Sequence, residues 1–97
     1  MAPAEILAEQ PQTDADEALD MIPVLREQID ALDAAIIRLV AERARVSHRI
    51  QTARISSGGA RVELGRERVV LGAYRDGLGA AGPTLAEAVL QVCRGSR

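Results

Sequence analysis

The stretch IPVLREQIDALDAAIIRLVAERARVSHRIQTARIS, residues 22–56, decides the fold. After Pro23 it contains neither Gly nor Pro. Its apolar residues Ile22, Leu25, Ile29, Leu32, Ile36, Leu39, Val46, Ile50 and Ala53 recur on a heptad stripe, the period of an amphipathic helix rather than of a strand. Pro23 is tolerable in a first helical turn, so the pattern predicts one helix of roughly 35 residues starting close to it, about 50 Å long at 1.5 Å per residue. Ser56-Ser57-Gly58-Gly59 ends it, because two glycines permit the positive φ that terminates a helix and reverses the chain.

Beyond that break, a second helix is expected from Leu64 to Leu78, with Leu64, Glu67, Leu71, Tyr74 and Leu78 along one face. Gly77, Gly79 and Gly82-Pro83 punctuate a turn. Thr84 and Glu87 have the spacing of a capping box, which starts a third helix at Thr84 that runs to about Arg94. Its apolar residues are Leu85, Ala88, Val89, Val92 and Cys93. No strand pattern or internal repeat appears. Residues 1–20 are interrupted by Pro3 and Pro11 and carry six acids with no basic residue, so they read as a largely disordered leader. Residues 21–97 form one domain. Two short helices cannot cover an apolar stripe about 50 Å long, and an exposed stripe of that size marks an interface. The fold class is therefore all-α, one long and two short helices in an intertwined homodimer.

Composition narrows the function. The chain of 97 residues has one aromatic residue, Tyr74, which excludes a base-stacking surface. Beyond residue 20 it holds 12 Arg against 8 acids. That mildly cationic body suits an anionic partner but is too weak and too scattered to indicate nucleic acid. All the basic residues are arginine, the residue of planar bidentate carboxylate recognition. A single cysteine, Cys93, forms no intrachain disulfide and no cysteine-based metal site. Cys93 and Tyr74 read as packing residues, and His48, off the stripe, as solvated surface. Neither a secretory leader nor a membrane span is evident, so the expected location is the cytoplasm.

Arg43 occupies the one stripe position, between Leu39 and Val46, where an apolar residue belongs. Burying an unpaired guanidinium costs several kcal/mol, so a compensating anion is required. Either an acid such as Glu42 or Glu67 supplies it, or a ligand does. Arg43, Ser47, Ile50 and Arg54 fall at i, i+4, i+7 and i+11, one narrow helical face. The two arginines stand about 16 Å apart along the axis, far enough to clamp a small dianion over a floor of Ser47 and Ile50.

Leu25-Arg26-Glu27-x-Ile29-x-x-Leu32-Asp33, then Leu39-x-x-Glu42-Arg43, Ala53-Arg54 and Arg66-Glu67 resemble the all-helical chorismate mutases. The resemblance covers residue 22 to about residue 95. The Ser-Gly-Gly break, the short second helix and the Cys93-Arg94-Gly95 ending are similar to the shortest subclass, whose members partner 3-deoxy-arabino-heptulosonate-7-phosphate (DAHP) synthase and are weak catalysts alone. The resemblance implies rearrangement of chorismate to prephenate without cofactor or metal. It implies that Arg26 reaches a substrate carboxylate from the other subunit, that Arg43 binds a carboxylate within its own, and that Arg54 donates to the ether oxygen and a carboxylate. Arg66 would support the substrate, Glu67 would accept a hydrogen bond from the ring hydroxyl, and Glu63 would lie near that hydroxyl. Many relatives carry a second ether-oxygen donor, a glutamine on the third helix, for which Gln91 is the candidate here.

Geometry speaks separately for a dimer: Arg26 and Arg43 lie about 25 Å apart on one helix, so one small substrate cannot touch both within a chain. The chemistry suits the residue inventory too. An intramolecular rearrangement needs a held conformer and stabilisation of developing negative charge, which fixed arginines supply. Isochorismate pyruvate lyase and 4-amino-4-deoxychorismate mutase activities would use the same clamp. A non-catalytic helical adaptor or regulatory subunit of the synthase would need the long helix alone. Contact with DAHP synthase is expected through the C-terminal region.

Overall fold

A computed structural model of the chain describes residues 14–59 and 64–95. Among them are three helices, α1 (Asp14–Ser56), α2 (Leu64–Leu78) and α3 (Gly82–Arg94), and no strand. The chain divides into two units, residues 1–35 and residues 36–97.

The long helix begins at Asp14, well before Pro23, so residues 14–20 of the acidic segment are helical rather than part of a disordered leader. Ala15, Ala18 and Leu19 have high helix propensity. Acids at the N-terminal end, such as Asp16 and Glu17, complement the helix dipole. Pro23 consequently lies inside α1, where it has no N–H to donate to the Leu19 carbonyl. The remainder of the leader reading, residues 1–13, lies outside the described residues.

In the first unit the apolar stripe is open: Ile29 and Leu32 are each more than half exposed. In the second unit, α2 and α3 pack against each other around Val70, Ala86, Val89 and Cys93. Gly82, Ala86, Val89 and Cys93 are the buried positions of α3, spaced i, i+4, i+7 and i+11 along one helix face. A Cβ at Gly82 would collide with the Tyr74 carbonyl, so only glycine lets the start of α3 approach α2 this closely. Leu85 and Val92, expected to be apolar contacts of α3, are instead about half exposed.

The α2 limits agree with the sequence pattern. The packed face, however, is its middle: Val70 is buried and Glu67, Leu71 and Tyr74 half-buried, while Leu64 and Leu78 at the ends are exposed. α3 starts two residues earlier than the capping-box spacing predicts. Its N-cap is Ala81, with no side-chain cap and with Pro83 in the first turn, where a missing N–H costs nothing. Thr84 therefore lies within the helix and does not cap it.

On α1, the half-buried positions of the second unit are Val40, Arg43, Ala44, Ser47, Gln51 and Arg54. This face is rotated from the heptad stripe, whose Leu39, Val46 and Ile50 remain about half exposed. The helix ends in a turn at Gly58, φ 81°. There the Ser57 N–H donates to Ala53 O and Arg54 O, and the Gly59 N–H donates to Arg54 O at 2.7 Å, satisfying the last carbonyls of the helix.

Candidate active site

The second unit contains a cavity of about 360 Å³, within the usual range for small-molecule sites. α1 contributes Arg43, Val46, Ser47, Ile50, Gln51 and Arg54 to its wall. Arg66, Glu67 and Val70 come from α2, and Leu90, Cys93 and Arg94 from α3. The periodicity of α1 explains its contribution, because its polar and apolar lining residues recur every three or four positions.

All four members of the face read from the sequence, Arg43, Ser47, Ile50 and Arg54, line this cavity. Arg43 is partly buried, and its Nη1 donates to Cys93 Sγ at 3.1 Å across 50 residues of chain. Cys93, 6% exposed, is thus a packing residue that also holds a guanidinium. Arg54 lies in the last turn of α1, where cationic side chains complement the helix dipole. Gly59 folds directly over it: a Cβ there would stand 2.6 Å from Arg54 Cγ.

Arg66 and Glu67 open α2, and both face the cavity. Arg94 Nη2 meets Glu67 Oε2 at 2.5 Å, with the two side chains 26% and 23% exposed. The wall therefore carries four guanidinium groups and one carboxylate. That cationic excess in a half-buried concave site suits a small dianion, since carboxylates meet arginine in planar, charge-assisted pairs.

Arg26 lies in the first unit and is exposed. Glu63 lies outside the described residues. Gln91 is exposed and lines an adjoining depression with Leu71 and Glu87, which shares Glu67, Leu90 and Arg94 with the cavity; the cavity itself is lined from α3 by Leu90, Cys93 and Arg94 and not by that glutamine. The helical period explains the difference, because positions 90, 93 and 94 share a face that 91 does not. Sequence reasoning missed Gln51 and Arg94. Gln51 follows Ser47 by four residues on the face already recognised, and Arg94 follows the buried Cys93; those spacings were the available signal.

Residues 25–94 match the family described as chorismate mutase type II. The chain is 43% identical over 82 residues to the intracellular chorismate mutase of Mycolicibacterium smegmatis, covering 81% of this chain and 79% of that protein. It is 58% identical over 40 residues to the intracellular chorismate mutase of Mycobacterium tuberculosis, a match that spans 41% of this chain and 38% of the relative's length. Among solved structures, it superposes with a TM-score of 0.74 and 36% identity on a chain of the non-covalent complex of DAHP synthase and chorismate mutase from Corynebacterium glutamicum with bound transition state analog. That likeness covers 90% of this chain and 99% of the other. With its three helices, its arginine-lined cavity and a family match that spans α2, α3 and most of α1, the chain belongs to the chorismate mutase type II family.

Proposed function

We propose that the chain catalyses the rearrangement of chorismate to prephenate in the cavity framed by α1, α2 and α3. The observation that carries this reading is the set of Arg43, Arg54 and Arg66 on one cavity wall in a chain of this family. The reaction breaks the ether C–O bond and forms a C–C bond within one molecule. A protein accelerates it by holding the reactive conformer and by stabilising the negative charge that develops on the ether oxygen.

In this reading Arg43 binds one carboxylate, and Arg54 donates to the ether oxygen and the other carboxylate. Arg66 supports the substrate, and Glu67 accepts from the ring hydroxyl, with Glu63 nearby. The partner subunit's Arg26 completes the clamp in a homodimer that covers the exposed stripe of α1. The working assembly includes DAHP synthase, bound through the C-terminal region, in the cytoplasm.

Chorismate consumption, followed by its ultraviolet absorbance with and without the synthase, tests the reading. Slow turnover that rises on adding the synthase is the expected result. Absence of prephenate under both conditions, from folded protein, sinks it and leaves a related dianion or an adaptor role.

A further inference from the structure

The net charge of −2 conceals a strong asymmetry between the two units. Residues 1–35 hold nine acids and one arginine, and residues 36–97 hold eleven arginines and five acids. The first unit is therefore anionic and the second cationic. The dipole of α1 accounts for only part of this pattern, because its effect falls off within the first and last turns. The acids of α1 continue through Glu27, Asp30 and Asp33, far beyond the first turn.

The anionic end of α1 also starts before the family does. The family match begins at residue 25, whereas α1 begins at Asp14, so about three helical turns precede it. In those turns Asp16, Glu17 and Asp20 are exposed. Four large apolar residues are exposed beside them: Leu19, Met21, Ile22 and Val24, at 40–61%. Apolar surface gathered in this way marks an interface rather than a solvated tail. Ala15, Ala18 and Ile22, at i, i+3 and i+7, carry the heptad stripe back through the segment.

Charge decides which part of a second copy this segment meets. Parallel pairing of two α1 helices lays one anionic half on the other, and like charges set side by side oppose association. Antiparallel pairing lays the anionic half of each copy on the cationic unit of the other. In the homodimer proposed above, Arg26 reaches the partner's cavity, whose α1 wall runs from Arg43 to Arg54. Asp20 and Asp16 precede Arg26 by six and ten residues, about 9 and 15 Å along the helix. Antiparallel pairing carries them towards the last turns of the partner's α1, where the partner's Arg49 and the partner's Arg54 lie.

We propose that residues 14–24 form an acidic docking surface for a second copy of this chain, seated on the cationic end of the partner's α1 and setting the direction and register of pairing. This rests on the homodimer of the proposed function and extends it, because the surface lies outside the residues that match the family. A two-fold interface makes the contact twice. A chain that is almost neutral overall then associates through opposite charges, and added salt weakens the dimer.

The test measures the dimer dissociation constant of the full chain by sedimentation equilibrium in about 0.05 M and about 0.5 M sodium chloride, Debye lengths of roughly 14 and 4 Å. Circular dichroism follows helix content. The natural chain is compared with a neutralised variant (Asp16→Asn, Glu17→Gln and Asp20→Asn together), with Arg49→Glu, and with the charge swap Asp20→Arg plus Arg49→Glu. The natural dimer should weaken about tenfold or more between the two salts. The neutralised variant should be about tenfold weaker than the natural chain at low salt and within about twofold of it at high salt, since screening removes the same attraction. Arg49→Glu should weaken the low-salt dimer to a similar extent, and the swap should regain most of that loss. Recovery in the swap separates docking from a local loss of helix, which a second substitution would only deepen.

Low-salt dissociation constants within about twofold across the variants, a neutralised variant whose defect persists at high salt, or a swap no tighter than Arg49→Glu alone each overturns the docking surface and leaves the proposed reaction standing. A natural chain that stays monomeric overturns the docking surface and the homodimer together. Prephenate formation by the natural chain with the synthase is followed in parallel. Its absence sinks the proposed reaction whatever the salt dependence of the dimer.

Discussion

Arg94 Nη2 and Glu67 Oε2 meet at 2.5 Å, tying the last turn of α3 to the first turn of α2 across 27 residues of chain. Its neighbour Cys93 accepts from Arg43 of α1. One helical turn therefore reaches two side chains to which the proposed mechanism gives roles, one on each of the other helices. A partner that grips the chain near residue 95 would act on both at once.

The Arg94–Glu67 pair couples the two residues energetically. Both side chains are about a quarter exposed, so solvent screening keeps the coupling modest. A double-mutant cycle with Arg94→Met and Glu67→Gln, followed by urea unfolding, should give about 1 kcal/mol of interaction. Additive effects within about 0.3 kcal/mol would show that the pair contributes nothing.

Arg43 is held by a thiol rather than by an acid, so substitutions at the two positions should separate. Arg43→Leu is expected to cost at least about a hundredfold in kcat/KM, as when a preorganised charge donor is lost from a transition-state site. Its unfolding midpoint should hold or rise, because a half-buried charge has been removed. Cys93→Ser keeps an acceptor for Arg43 Nη1 and should retain most activity, whereas Cys93→Ala removes it and should lose several-fold. Equal activity in the two Cys93 variants would mean that the sulfur does not position the guanidinium.

The helix breaks, the limits of α2 and the Arg43–Arg54 face were legible in the sequence, because each depends on local spacing or on glycine. The start of α1 was not. Ala15, Ala18 and Leu19 favour helix through propensity, with no apolar stripe to announce it. Thr84 misled because Pro83 in the first turn sets where α3 begins. The partners of Cys93 and Arg94 come from other helices, and no spacing along one helix reveals them. The rotation between the heptad stripe and the half-buried face of α1 was equally hidden, since a stripe says that a side is apolar, not which neighbour covers it.

Two glycines should fail differently. Gly82→Ala places a Cβ against the Tyr74 backbone, which cannot yield without separating α2 from α3. It should destabilise the chain by about 2 kcal/mol or more. Gly59→Ala meets the Arg54 side chain most closely, with the Arg54 carbonyl oxygen farther off at 3.2 Å, so it should move that guanidinium and lower kcat with a smaller loss of stability. Urea unfolding and steady-state kinetics on both variants check this. A Gly59→Ala protein with unchanged kcat would show that Arg54 reaches its working position from elsewhere.

The exposed stripe makes the last prediction. Ile29, Leu32, Ile36 and Leu39 are each 54–58% exposed, and an apolar row of this length on a single chain requires a cover. In the homodimer proposed above, a second copy of α1 would supply one through the same residues, the self-complementary pairing of a two-fold interface. Leu32→Glu places a charge in that row on both copies, where burial without a partner costs several kcal/mol. Sedimentation velocity should find the natural chain dimeric and Leu32→Glu monomeric or largely unfolded at micromolar concentration. Activity should fall with the dimer fraction, because the proposed mechanism has Arg26 reach its partner's cavity. A monomeric natural chain that still turns over chorismate would remove Arg26 from the proposed site.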